Sequence, residues 1–192
     1  MKWLVVTGLV LAAGLSLFWL TDDEPVATGE TDVSAAGKLY VSWDTMEFDK
    51  CVAGWLICRY LDPEARFQFI PKDAIVPTGI PFDIPGADWS RKHRKSTAQC
   101  VLEQIPETDP AVAEIVARAA RVELSFWQLD RWPETEACFR HVESIINETS
   151  DSMTCFNMLC QYFDQLYDEL RAQPMSPSSP NAITVGSGDK QN

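Results

Sequence analysis

Between Leu39 and Ile70 the chain reads as strand, helix, stop and strand in immediate succession, and that order limits its topology more than any other feature. Lys38 to Trp43 alternates, with Leu39, Val41 and Trp43 on one side, as a strand of period two does. From Cys51 to Leu61 the apolar residues fall at Cys51, Val52, Trp55, Leu56, Cys58 and Leu61, a stripe of helical period. Asp62-Pro63 ends that helix, because proline drives the residue before it out of the helical region. Arg66 to Ile70 alternates again, with Phe67 and Phe69 on one face. A strand that returns through a helix pairs in parallel with the first, by a right-handed crossover. Ile80 to Ile84 is a third extended piece, and Pro81 and Pro85 restrict it to an edge strand or an extended loop.

The rest of the domain reads as helices. Ser96 and Gln99 form a capping box that opens a helix running to about Ile105. Asp109-Pro110 supplies an N-cap and a proline at the first helical position, and Val112, Ile115, Val116 and Ala119 then share a face. Pro133 opens another helix, with Cys138, Val142, Ile145 and Ile146 facing inward. The last has the cleanest stripe: Phe156, Leu159, Cys160, Phe163, Leu166, Tyr167 and Leu170. The fold class is therefore α+β: a small, about three-stranded sheet with a strand–helix–strand unit, covered by four to five helices. This globular part spans residues 38–172, and most of the chain's seven Trp and nine Phe lie in it as bulky material for one core.

The ends read differently. Residues 3–20 carry no charge, near the lower limit for spanning a bilayer. Lys2 precedes this run and Asp22, Asp23, Glu24, Glu30 and Asp32 follow it, so charge bias places the start of the chain in the cytoplasm and the domain outside it. Residues 1–21 are read as an uncleaved signal-anchor in the inner membrane, since no small-x-small cleavage site follows closely; the alternative is a cleaved signal and a secreted periplasmic protein. Residues 22–37 form an acidic linker, and residues 173–192, rich in Pro, Ser and Gly, a disordered tail. The net charge of -12 repels phosphate backbones and argues against a nucleic-acid partner.

Six cysteines follow the anchor: Cys51, Cys58, Cys100, Cys138, Cys155 and Cys160. Cys51 and Cys58 lie roughly 10 Å apart along one helix axis, too far for a disulfide, and Cys155 and Cys160 are similarly placed. Most are read as small buried hydrophobes, with one long-range disulfide as the alternative. There is no C-x-x-C, no His-x-x-x-His, no Walker loop and no nucleophile elbow. His141, beside an apolar stripe, is read as structural.

Several motifs resemble the chromate-resistance family with a ChrB C-terminal-like domain. They are Asp49-Lys50, Trp55-Leu56-Ile57, Arg59, Asp62-Pro63-Glu64-Ala65 and Pro81-Phe82-Asp83-Ile84-Pro85-Gly86, with weaker echoes at Asp109-Pro110, Ile115-Val116 and Phe163 to Tyr167. The likeness runs from about Leu39 to Arg171. It implies a role in chromate resistance, in the exported form without a DNA-binding region. The chain departs from the pattern after Gly86: Arg91 and Lys92 stand where the family shows a histidine pair, and Ser96 where it shows a cysteine. His93 remains nearby, out of register. Lys50 stands where the family commonly has arginine, which weakens bidentate anion pairing.

Chromate is a tetrahedral dianion, so the basic run Arg91, Lys92, His93, Arg94 ahead of the helix capped by Ser96 is a candidate oxyanion site, with Lys50 and Arg59 as further cations. The plainer reading is a solvated charge run. Asp49, Asp62 and Asp83 are the acidic candidates for polar or metal contacts. Asp49 is expected to cap the first helix and Asp62 to close it, while Asp83 has no such local role; all three are expected to converge at one edge of the sheet near the basic run, with Arg59 pairing with Asp62 or reaching the same pocket. No catalytic residue and no cofactor is assigned. The leading function is an anchored extracytoplasmic protein that binds or senses chromate, a similar oxyanion or a metal. A metal- or thiol-dependent chromate reductase and a non-catalytic interaction module are the alternatives.

Overall fold

The computed structural model describes residues 37–173; the expectations for the anchor, for nearly all of the linker and for the tail lie outside the described residues. Three strands, β1 (Leu39–Trp43), β2 (Arg66–Ile70) and β3 (Ile80–Pro81), form one sheet in the order β2-β1-β3, and both pairings are parallel. Five α-helices follow or intervene: α1 (Phe48–Leu56), α2 (Thr97–Leu102), α3 (Pro110–Ser125), α4 (Pro133–Glu148) and α5 (Ser152–Ala172). The α+β class, the parallel strand–helix–strand unit and the edge position of the proline-bounded third strand all hold. Pro81 ends the third strand, and the N–H of Phe82 makes the next bond, to the Val41 carbonyl at 3.0 Å.

Two expectations about faces are corrected. β1 does not bury one side only: Tyr40, Val41 and Ser42 are all buried. It is the middle strand, so helices and aromatic rings cover one face while the β2–β3 connection reaches the other. There the Ala74 carbonyl accepts the Trp43 indole N–H at 3.3 Å. Helix α1 likewise carries no solvated stripe, because every residue from Phe48 to Ile57 is buried. It is the hub of the core, packed against α2, α3 and α5. Local period describes a helix with one neighbour; a helix enclosed by several neighbours is buried all round.

Aromatic side chains bind the layers. Tyr40 and Phe67, register partners on β1 and β2, stack at 5.6 Å, and Trp89 stacks on Tyr40 at 6.0 Å. Phe156 of α5 meets Phe67 at 4.7 Å and Phe69 at 5.5 Å. Phe163 stacks on Phe48 at 5.8 Å and meets Trp55 at 6.2 Å. Complete burial of side chains this large contributes about 1.5–3 kcal/mol each. Gly54 permits the closest approach: a β-carbon there would fall 2.5 Å from the Phe156 ring.

The caps follow sequence chemistry. Both reciprocal bonds of the Ser96–Gln99 capping box are present, although α2 stops at Leu102 and not at Ile105. Asp109 accepts the N–H groups of Ala111 and Val112 at the start of α3. After α1 the chain widens into a π-helical turn, Ile57–Leu61, and Asp62 ends it. A 3₁₀ segment, Phe126–Arg131, joins α3 to α4 and leaves Phe126 and Trp127 exposed. Neither of these two irregular turns has a sequence signal.

Candidate functional site

Parallel strands all end at one edge of a sheet, and the segments leaving them gather there. Here that edge bears a cleft of about 340 Å³. Trp43, Thr45 and Glu47 enter it after β1, Lys72 after β2, and Asp83, Ile84 and Pro85 after β3; Lys50, Ser90, Arg91 and Glu123 complete the lining. The chain leaves central β1 for β2 on one side and later places β3 on the other, so the cleft sits where the strand order reverses. Open sheets of parallel strands bind ligands at that point, outside the carboxyl ends of the strands.

Lys50 lies in the first turn of α1 with 1% of its surface exposed. Its ammonium donates to the Trp43 carbonyl at 3.0 Å and to the Thr45 carbonyl, and faces Asp83 Oδ2 at 3.6 Å. These oxygens would otherwise be orphaned where β1 stops, so one cation fixes the β1–α1 turn to the segment after β3. Asp83 holds φ at 53°, a left-handed conformation that costs a non-glycine residue about 1 kcal/mol and that aspartate tolerates better than most. The Trp89 carbonyl accepts the Asp83 N–H at 2.7 Å, and the Thr97 hydroxyl donates to Asp83 Oδ1 at 2.5 Å. Burial raises the Asp83 carboxyl above its ordinary pKa, while Thr97 and Lys50 pull it back.

Contrary to the expectation, Asp49 does not cap α1; it lies inside that helix and turns its carboxylate to the start of α2. Oδ2 accepts the Thr97 N–H at 2.6 Å and Oδ1 the Ala98 N–H at 3.2 Å. The expectation that the α2 start offers free N–H groups to an external anion is thereby corrected: the protein's own carboxylate occupies it. Burial dominates the titration of Asp49 and pushes its pKa to about 7, with Asp83 adding to the rise and the Ser96, Ala98 and Thr97 hydrogen bonds opposing it.

The basic run divides. Arg91 lines the cleft and pairs with Glu123 of α3 at 2.5 Å. Burial raises the Glu123 carboxyl, and Arg91 opposes the shift. Lys92 and Lys95 close a tight turn through reciprocal backbone bonds, with His93 and Arg94 exposed at its tip. Lys95 pairs with Glu103. The turn exists because α2 must start beneath Asp49, which forces residues 92–95 outward.

Arg59 and Asp62 stand elsewhere. The crossover carries α1 away from the cleft, so both lie by the opposite, amino-terminal edge of the sheet. Arg59 meets Asp164 of α5 at 2.5 Å, not Asp62, and its guanidinium covers the Tyr167 ring at 4.2 Å. Asp62 accepts the Lys38 N–H at 2.8 Å, ahead of β1. The three candidate aspartates therefore do not converge: Asp49 and Asp83 are neighbours and Asp62 is remote. Among the described residues no group of three or more His, Cys, Asp or Glu side chains is arranged to hold a metal ion. His141 is exposed and packs on Tyr162 at 4.5 Å.

Sequence reasoning missed Glu47, Lys72 and Glu123. The first two lie in the segments that leave β1 and β2, and the rule for parallel sheets would have found them. Glu123 reaches the cleft only through the packing of α3 and has no local signal.

The cleft can hold a small polar ligand between cations and carboxyls whose charged forms burial disfavours. Among the described residues no helix is long and apolar enough to cross a membrane. No curated protein and no solved structure matches the chain significantly. One family does match, described as ChrB, C-terminal domain, over residues 40–170, which takes in the sheet apart from Leu39 and almost all of the helical shell. The chain belongs to the ChrB C-terminal domain family, the chromate-resistance group that its motifs resemble.

Proposed function

We propose that this domain serves chromate resistance by binding a tetrahedral oxyanion of the chromate class in the cleft at the carboxyl ends of the strands. The observation that carries the reading is the meeting of Lys50, Lys72 and Arg91 at the point where the strand order reverses. Arg91, one of the two basic residues that replace the family's histidine pair, supplies a forked donor there. Glu47, Asp83 and Glu123 share the lining with these cations, and burial works against the charged forms of Asp83 and Glu123, which lessens their repulsion of an anion. Lys50 acts through its charge, since its donors already hold the β1–α1 turn.

Titration calorimetry with chromate, and with sulfate as a non-oxidising dianion, tests the reading. Arg91→Ala and Lys72→Ala each weaken binding about ten-fold, the loss of one charge-assisted contact. Arg59→Ala and Arg94→Ala, outside the cleft, leave it unchanged. Equal affinities in all four variants would reject the cleft as the site. We also read the uncharged run 3–20 as a membrane anchor that holds the domain on the periplasmic side. Protease added to spheroplasts should then digest the domain, and full protection would reject that topology.

A further inference from the structure

The cations and carboxyl groups that line the cleft are unevenly paired. Lys50 faces Asp83 at 3.6 Å, and Arg91 pairs with Glu123 at 2.5 Å. Lys72 and Glu47 line the same cavity of about 340 Å³, and both are exposed. Among the described residues neither of these two side chains makes an ion pair or a hydrogen bond within the protein. Glu47 holds the N-cap position of α1 with extended backbone, yet its side chain makes no capping bond. Burial is the main cause that raises the Asp83 and Glu123 carboxyls, and the charge of Glu47 adds to both, so the three carboxyls lie near one another. The free groups of the cleft are therefore a cation and a carboxylate.

These two groups ask different things of an anion. An ammonium only donates hydrogen bonds, and a carboxylate only accepts them. A fully ionised dianion has no hydrogen to give Glu47 and is repelled by it. A tetrahedral anion that keeps one proton satisfies both, with a bare oxygen toward the cations and its O–H toward Glu47. Chromate and sulfate share shape and charge when fully ionised. Chromate, like phosphate, takes up a proton near neutral pH, and sulfate does not. We propose that Glu47 is the specificity-determining residue of the cleft, accepting the hydrogen of a protonated oxyanion of the hydrogen chromate or hydrogen phosphate kind and disfavouring sulfate. The inference rests on the oxyanion reading above and adds which anions that site takes. An acceptor placed for a ligand hydroxyl rejects the analogue that lacks it, because the acceptor loses water and gains no partner. Glu47 is exposed and keeps part of its hydration, so the discrimination is about ten-fold, well below that of an enclosed site.

Titration calorimetry on the full-length protein, with inorganic phosphate and with sulfate at neutral pH and equal ionic strength, tests the assignment. Phosphate should bind about ten-fold more tightly than sulfate. In Glu47→Gln the amide can also donate to a bare oxygen, so sulfate should gain, phosphate should not, and the preference should be lost. Glu123→Gln is the control for charge alone: it removes one negative charge and releases Arg91, so both anions should gain together with their ratio kept. Equal affinities for the two anions in the wild type, or a Glu47→Gln variant that strengthens both alike, overturns the inference and leaves the oxyanion reading standing. A ratio lost in Glu123→Gln and kept in Glu47→Gln overturns the assignment to Glu47. Binding of neither anion overturns the oxyanion reading and this inference with it.

Discussion

Replacing Lys50 by methionine tests whether one buried cation organises the cleft edge. The change keeps most of the apolar stem and removes the ammonium. The Trp43 and Thr45 carbonyls then lose a donor, and Asp83 keeps a carboxylate with 13% exposed surface and no cation at 3.6 Å. Removing one partner of a buried ion pair costs about 3–5 kcal/mol, mainly because the remaining charge is stranded. For a chain of this size that lowers Tm by roughly 6–20 °C. Urea denaturation at neutral pH measures the loss. A second change, Asp83→Asn, removes the stranded charge, and asparagine tolerates the left-handed backbone. The double variant should therefore be more stable than the two single losses combined would allow, by about 1–3 kcal/mol. Acid should narrow the gap between Lys50→Met and wild type, because Asp83 protonates more readily once the cation is gone. A single-variant penalty under about 1 kcal/mol, or strict additivity in the cycle, would refute the reasoning.

Two further outcomes follow from the geometry. The folded pKa of Asp49, about 7, lies above its value in an unfolded chain, 3.8, so the native state holds the extra proton. Its contribution to stability is full below the unfolded value, falls as pH rises through about 7, and levels off above; Asp83 and Glu123 act with the same sign. Denaturation across this window should show the decline, with a shallower slope in Asp49→Asn, and a flat profile in the wild type would contradict the assignment. Gly54→Ala should destabilise by about 1–3 kcal/mol despite better helix propensity, since the new methyl meets a Phe156 ring fixed by Phe67 and Phe69. A neutral or stabilising result would mean that α1 and α5 are free to separate.

Local chemistry wrote much of this molecule. Alternation fixed the strands at Leu39 and Arg66, Asp62-Pro63 fixed the stop between them, and Ser96–Gln99 and Asp109-Pro110 fixed two helix starts. Those signals act over a few residues, so a reader of the chain can see them. The order of strand, helix and strand then implied parallel pairing, and the family motifs lie on that same frame.

What lay hidden were relations between distant segments. Asp49 reads as a cap for its own helix, yet it caps α2, whose first N–H groups lie about fifty residues onward. Arg59 reads as a partner of nearby Asp62, yet α5 brings Asp164 to it. RKHRK reads as one basic patch, yet only Arg91 enters the cleft, because the start of α2 beneath Asp49 turns the next residues outward. The sequence by itself determined the elements, their caps and the parallel direction of the sheet, since backbone preference and hydrophobic period are local. Only the tertiary structure decided which charges share the cleft, since burial, desolvation and pairing depend on neighbours that the linear order does not name.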